Sequence, residues 1–94
     1  MQRPLYTVEQ SNQFKRELKK LRKRGYDMTV INGVVNTLSN GEKLDVKYRD
    51  HALIGNFKGY RECHITPDWL LVYKIKANVL TLVLHRTGTH SDLF

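Results

Sequence analysis

An α+β fold is what this sequence predicts. Three observations carry it: helix-spaced apolar residues over positions 14–38, three β-rich runs after residue 60 joined by hairpin-length links, and a short β-prone segment before the helices. At 94 residues, with 40% apolar and 10% aromatic content, the chain makes one small domain over 1–94 that must place most of its apolar side chains in a single core.

In chain order, residues 5–9, Leu-Tyr-Thr-Val-Glu, read first as a short strand. Ser11 or Asn12 then offers an N-cap for a helix running to about Arg24, with Phe14, Leu18 and Leu21 at i, i+4 and i+7 forming an apolar stripe. Gly25 is placed to end it. Asp27 can cap a second helix whose Ile31, Val34, Val35 and Leu38 share a face, although Gly33 and the β-branched residues weaken its propensity, and Ser39-Asn40-Gly41 closes it. The two helices form an antiparallel hairpin covering one side of the remaining chain. Residues 42–58 lose periodicity and read as a long loop carrying His51. Strands are expected at 60–65, 69–75 and 79–86, linked by Thr66-Pro67-Asp68 and Lys76-Ala77-Asn78 into an antiparallel meander. The N-terminal strand brings the mainly antiparallel, twisted sheet to about four strands, and a short C-terminal segment ends the chain. Runs such as Leu70-Leu71-Val72-Tyr73 are apolar at both parities, so these strands are expected to be covered on both faces, and parity leaves the direction of Arg86 open.

Composition excludes several classes. No apolar run approaches the roughly 18 residues that cross a bilayer, and Met1-Gln2-Arg3-Pro4 lacks the apolar core of a secretory signal, so a soluble cytoplasmic protein is expected. Cys63 is the only cysteine, which rules out an internal disulfide and a cysteine-based metal cage. Sixteen Lys and Arg against nine acids give +7, pointing to a polyanion or an acidic protein partner. The excess is concentrated in Lys15-Arg16-Glu17-Leu18-Lys19-Lys20-Leu21-Arg22-Lys23-Arg24, either a solvated helix face or an electrostatic docking surface.

Chemistry is concentrated in the back half, where His51, His64, Asp68, Trp69, Arg86, His90 and Phe94 form a spread-out constellation. Imidazole exchanges protons near neutral pH and a guanidinium pairs with phosphate, which together suggest phosphodiester chemistry. Blander roles stand beside this one: His64 and Asp68 as a hydrogen-bonded pair across a turn, Trp69 as a core residue opening a strand, and Arg86 as an ion-pair partner of Asp68 or Glu62. His85 is expected to point the opposite way along its strand and is left out of the site.

Three ordered blocks carry a resemblance. Asp50-His51-x-Leu53-x-Gly55, then Lys58-Gly59-Tyr60-Arg61-x-x-His64-x-x-x-Asp68-Trp69-Leu70-Leu71-x-Tyr73-Lys74, then Arg86-Thr87-Gly88-Thr89-His90-Ser91-Asp92-Leu93-Phe94 resemble the YafQ branch of the RelE-type toxins of bacterial toxin–antitoxin pairs. The resemblance covers essentially the full length. It implies a ribosome-dependent endoribonuclease that cuts messenger RNA and inhibits translation without a metal or other cofactor. Its partners would be the ribosome, mRNA and an acidic antitoxin of the DinJ or RelB kind, in a complex expected to be a heterotetramer or larger. It also implies roles: His90 and His51 as acid and base in either order, His64 and Asp68 assisting, Arg86 on the phosphate, and Phe94, Trp69, Lys58 and Arg61 on the substrate. The rivals are a metal-dependent phosphodiesterase, for which no H-E-x-x-H or similar ligand motif exists here, and a non-catalytic RNA- or ribosome-binding basic module.

Overall fold

The structure, a computed structural model, describes residues 4–94, so the start read from Met1, Gln2 and Arg3 lies outside it. In chain order the elements are β1 (Thr7–Gln10), α1 (Asn12–Lys23), α2 (Met28–Ser39), β2 (His51–Ala52), β3 (Arg61–Thr66), β4 (Trp69–Lys76), β5 (Thr81–Gly88) and α3 (His90–Leu93).

Helix α1 starts where Ser11, in extended conformation, accepts the Phe14 amide at 3.0 Å through Oγ. It buries Phe14 and Leu21, while Lys20, Arg22 and Lys23 crowd its last turn, where the helix dipole favours cations. Gly25, at φ 88°, reverses the chain in a conformation that other residues adopt at a cost. Asp27 then caps α2 through the Thr29 amide at 2.9 Å. Gly33 faces open space, so it lowers helix propensity without leaving a packing gap.

The sheet runs β1-β5-β4-β3-β2, with β1 parallel to β5 and the remaining pairs antiparallel. Phe14, Leu21, Ile31, Val34 and Leu38 of the helical hairpin pack on one sheet face against Cys63, Ile65, Trp69, Leu71, Tyr73, Leu82 and Leu84. Burial pushes the Cys63 thiol up to about 12, which leaves it protonated and unreactive.

Two boundaries differ from expectation. The segment read as one loop contains a two-residue strand, β2, which adds a fifth strand and anchors His51 opposite Glu62. Short 3₁₀ turns at Val46–Tyr48 and Gly55–Phe57 flank it, and such single turns leave no apolar periodicity in the sequence. At the last hairpin, Ala77–Val79 forms another 3₁₀ turn and Leu80 takes a left-handed conformation at φ 46°, so β5 begins at Thr81.

A bulge in β5 determines the placement of the site. Tyr73 pairs with Leu84 and Val72 with Arg86, leaving His85 as the extra residue between them. Beyond Leu84 the parallel partner β1 has ended, and α1 takes over the exposed edge of β5. Ser11 donates from Oγ to the His85 carbonyl at 2.7 Å, and Glu17 accepts the Thr87 amide at 3.1 Å.

Candidate active site

Alternation along the strands separates two faces. Leu71, Tyr73, Cys63 and Ile65 point into the helix-covered core, which leaves Glu62, His64, Leu70, Val72 and Arg86 on the other face. The register aligns His51, Glu62, Val72 and Arg86 in one row across four strands, and His64, Leu70 and Gly88 in the next. With about 4.8 Å between strands, the backbones of His51 and Arg86 stand roughly 14 Å apart. Leu70 and Val72, 0% and 1% exposed, form the floor. Two ring pairs cross above β4 from either side. Tyr60 stacks on His85 at 4.5 Å, and Phe57 meets Phe94 edge-on at 6.1 Å.

On this face His51 and His64 lie with ring centroids 6.4 Å apart. His51 donates from Nδ1 to the Arg49 carbonyl at 2.7 Å, and His64 from Nδ1 to the Pro67 carbonyl at 3.3 Å. A carbonyl only accepts, so each contact fixes the tautomer and leaves Nε2 as the nitrogen that takes or gives a proton. His51 Nε2 stands 3.5 Å from Glu62 Oε1. Glu62 is 6% exposed, and its other oxygen has no hydrogen-bond partner among the described residues.

Gly88 leads into α3, a single turn closed by a capping box between Thr89 and Asp92. The glycine is required by close approach, because a Cβ there would stand 2.9 Å from the Asp92 Cβ. Arg24 reaches from the end of α1 to Asp92 at 3.1 Å and ties the turn to the body. Hydrogen bonds from Thr89 and Arg24 hold the Asp92 carboxyl below its usual range. His90 stands exposed at the start of α3 with Phe94 5.9 Å away, and Phe94 is 62% exposed at the chain end.

The structure thus brings His51, His64, Arg86 and the His90–Phe94 turn toward one face, and it corrects several expectations. Trp69 is 1% exposed. Its Nε1 donates to Thr87 Oγ1 at 2.9 Å and its ring meets Tyr26 edge-on at 5.2 Å, so it supports the site from within the core and offers no surface to a nucleotide. Arg61 points to the opposite face, where Nε and Nη2 each lie 3.3 Å from Asp50, which also accepts the Tyr73 hydroxyl at 2.6 Å. That pairing with Asp50 raises the Arg61 pKa further and makes the side chain part of the framework. Asp68 stays exposed in the β3–β4 turn; His64 bonds the Pro67 carbonyl, and the expected His64–Asp68 pair is absent among the described residues. Lys58 is exposed just after Phe57 on the β2–β3 connection. Arg86 does form an ion pair, but with Glu17 of α1, at 2.7 Å, rather than with Asp68 or Glu62.

His85 is the clearest omission of the sequence reading. Simple alternation turns it away, whereas the bulge brings its ring onto Tyr60 beside Arg86. Burial, and then the Arg86 charge, lower its pKa. Glu17 and Glu62 were also missed as site residues: one sits within a lysine-rich run and the other in a strand, and neither location marks it as part of a site.

A model of the family "Bacterial toxin of type II toxin-antitoxin system, YafQ" matches residues 6–94. The mRNA interferase toxin YafQ of Escherichia coli strain K12 is 40% identical over 88 residues, 93% of this chain and 94% of that protein. The crystal structure of a metal-bound toxin from Helicobacter pylori superposes with a TM-score of 0.90 at 47% identity, covering 95% of this chain and 99% of that one. The YafQ-like chain in the crystal structure of the E. coli DinJ–YafQ toxin–antitoxin complex gives 0.87 at 38% identity, over 96% and 98%. This chain therefore belongs to the YafQ family of bacterial toxins of type II toxin–antitoxin systems.

Proposed function

We propose that this toxin is a ribosome-dependent, metal-independent endoribonuclease that cuts messenger RNA and thereby inhibits translation. The observation that carries the proposal is the pair of imidazoles, His51 and His64, each with Nδ1 committed to a backbone carbonyl so that Nε2 is the proton-exchanging nitrogen, on the face that also bears Arg86. The E. coli relative's name, mRNA interferase, supports the substrate class.

Cleavage of RNA without a metal uses the neighbouring 2′-hydroxyl as nucleophile. A base removes its proton, the oxygen attacks phosphorus, and an acid protonates the departing 5′-oxygen, leaving a 2′,3′-cyclic phosphate and a 5′-hydroxyl. His51 and His90 divide the base and acid roles, His64 and the exposed Asp68 assist proton movement, and Arg86 meets the charge that grows on the phosphorane. Phe94, exposed beside His90, stacks on a base at the cleavage point, and Lys58 contributes positive charge to the RNA backbone. An open strip with few aromatic platforms holds free RNA loosely, so the ribosome presents the message.

A cognate antitoxin of the DinJ or RelB kind silences the toxin. The basic exposed face of α1 suits an acidic partner, in a complex of two toxin–antitoxin pairs or more. No helix among the described residues is long and apolar enough to cross a membrane.

The test is cleavage of a translated message with and without ribosomes, in the presence of a strong chelator, by wild type and by His51→Ala and His90→Ala. Cleavage is expected only with ribosomes, unaffected by the chelator, and lost in both variants. Binding without any cleavage by the wild-type protein supports the non-catalytic module instead.

A further inference from the structure

We propose that Glu17 is the positioning residue for Arg86: it grips the guanidinium by its Nε/Nη2 edge so that the Nη1/Nη2 edge is presented to the RNA phosphate. The inference rests on the reading of the site given under Proposed function, and it adds a residue from the helical half of the chain to a site otherwise built from the back half.

Arg86 Nε lies 3.1 and 2.9 Å from the two Glu17 oxygens, and Nη2 lies 2.7 Å from Oε2. Nη1 has no hydrogen-bond partner among the described residues. A guanidinium has more than one edge able to take an oxyanion in two parallel hydrogen bonds, so a side-on carboxylate leaves the terminal edge available. Glu17 is itself held, since Oε1 also accepts the Thr87 amide at 3.1 Å. The two side chains are only 16% and 19% exposed, and Ser11 secures the start of the same helix to the His85 carbonyl. The clasp therefore joins α1 to the bulge of β5 and fixes a long side chain that would otherwise sample many rotamers. Arg86 does not have to leave Glu17 to meet a phosphate, which distinguishes this arrangement from a lock that must open.

Preorganisation of this kind acts on the chemical step, because a charge held in place stabilises the phosphorane without a reorganisation cost. The test is a double-mutant cycle with Glu17→Gln, Arg86→Ala and the pair, assayed by cleavage of translated messages, with thermal unfolding of each variant measured separately. Glu17→Gln is expected to lower kcat by about 10- to 100-fold with little change in KM. In the Arg86→Ala background the same substitution is expected to cost nothing further. An increase in activity overturns the proposal in favour of an inhibitory lock, and an equal loss in both backgrounds overturns it in favour of a purely structural role. Arginine side-chain NMR with a non-cleavable 2′-O-methyl trinucleotide as probe reads the same contact without catalysis. In wild type the probe is expected to shift the Arg86 Nη1 signal and leave Nε–H in place, whereas Glu17→Gln displaces Nε–H before any probe is added. An Nε–H signal indifferent to Glu17→Gln overturns the proposal even if the cleavage reading itself fails.

Discussion

The imidazole of His51 stands 3.5 Å from the carboxylate of Glu62, paired across β2 and β3, and the second Glu62 oxygen is buried with no partner among the described residues. A buried carboxylate with one oxygen unpaired contributes little to folding. Glu62→Gln is therefore expected to leave stability within about 1 kcal/mol of wild type, or to raise it. Cleavage is expected to fall about 10-fold, as His51 loses the carboxylate that orients its ring. Urea unfolding and single-turnover cleavage of the same preparations check this; a loss of several kcal/mol with unchanged cleavage contradicts it.

Trp69 is expected to act through stability alone. Trp69→Ala removes a fully buried ring and leaves Thr87 without its indole donor, costing about 3–5 kcal/mol in denaturant unfolding. Trp69→Phe keeps most of the volume, and its cleavage rate per folded molecule should match wild type. A stable Trp69→Phe protein with weakened RNA binding contradicts the core assignment.

Arg61 is expected to matter to the framework and not to RNA. Arg61→Ala breaks its half-buried pairing with Asp50, which retains the Tyr73 hydroxyl bond, and the expected cost is about 1 kcal/mol in urea unfolding. RNA affinity should change no more than the loss of one distant positive charge requires. A large affinity loss with unchanged stability contradicts the face assigned to it.

Much of the architecture was legible because it depends on local signals. Ser11, Asp27, Gly25 and the Phe14–Leu21 stripe mark the helical hairpin at the residues where it forms, and the two tight links place β3, β4 and β5 to within a few residues. The two-residue strand at His51 was not legible, because its only support is pairing to a strand that begins ten residues later. The histidines and Arg86 could be read from their chemistry and from the family resemblance. Their neighbours could not. Glu17 reaches Arg86 across 69 positions, and His85 enters the site only because a bulge breaks the alternation that a sequence reading must assume. Arg61 went the other way, and Trp69 took the core role that its place at the start of a strand had suggested rather than the substrate contact that the resemblance implied. Their sequence neighbours are site residues, but strand alternation points their side chains to the opposite face and into the core.

His85 links the site to pH. Its folded pKa lies below the ordinary 6.5, through burial and then through the charge of Arg86. Above about 6.5 the ring is neutral in both folded and unfolded chains, and the stability this provides is fully present. As pH falls below that value the unfolded chain takes the proton first, so stability declines toward the lower folded pKa. His85→Asn is expected to show a shallower decline of the urea midpoint over this window than wild type; parallel declines contradict the assignment.

The central claim, that this face cuts RNA by attack of the neighbouring 2′-hydroxyl, is tested most directly by a translated message carrying a single 2′-deoxynucleotide at a mapped cleavage position. Cleavage is expected to vanish at that position alone, while the unmodified message yields a 2′,3′-cyclic phosphate and a 5′-hydroxyl. Cleavage at the deoxynucleotide at an undiminished rate contradicts the account.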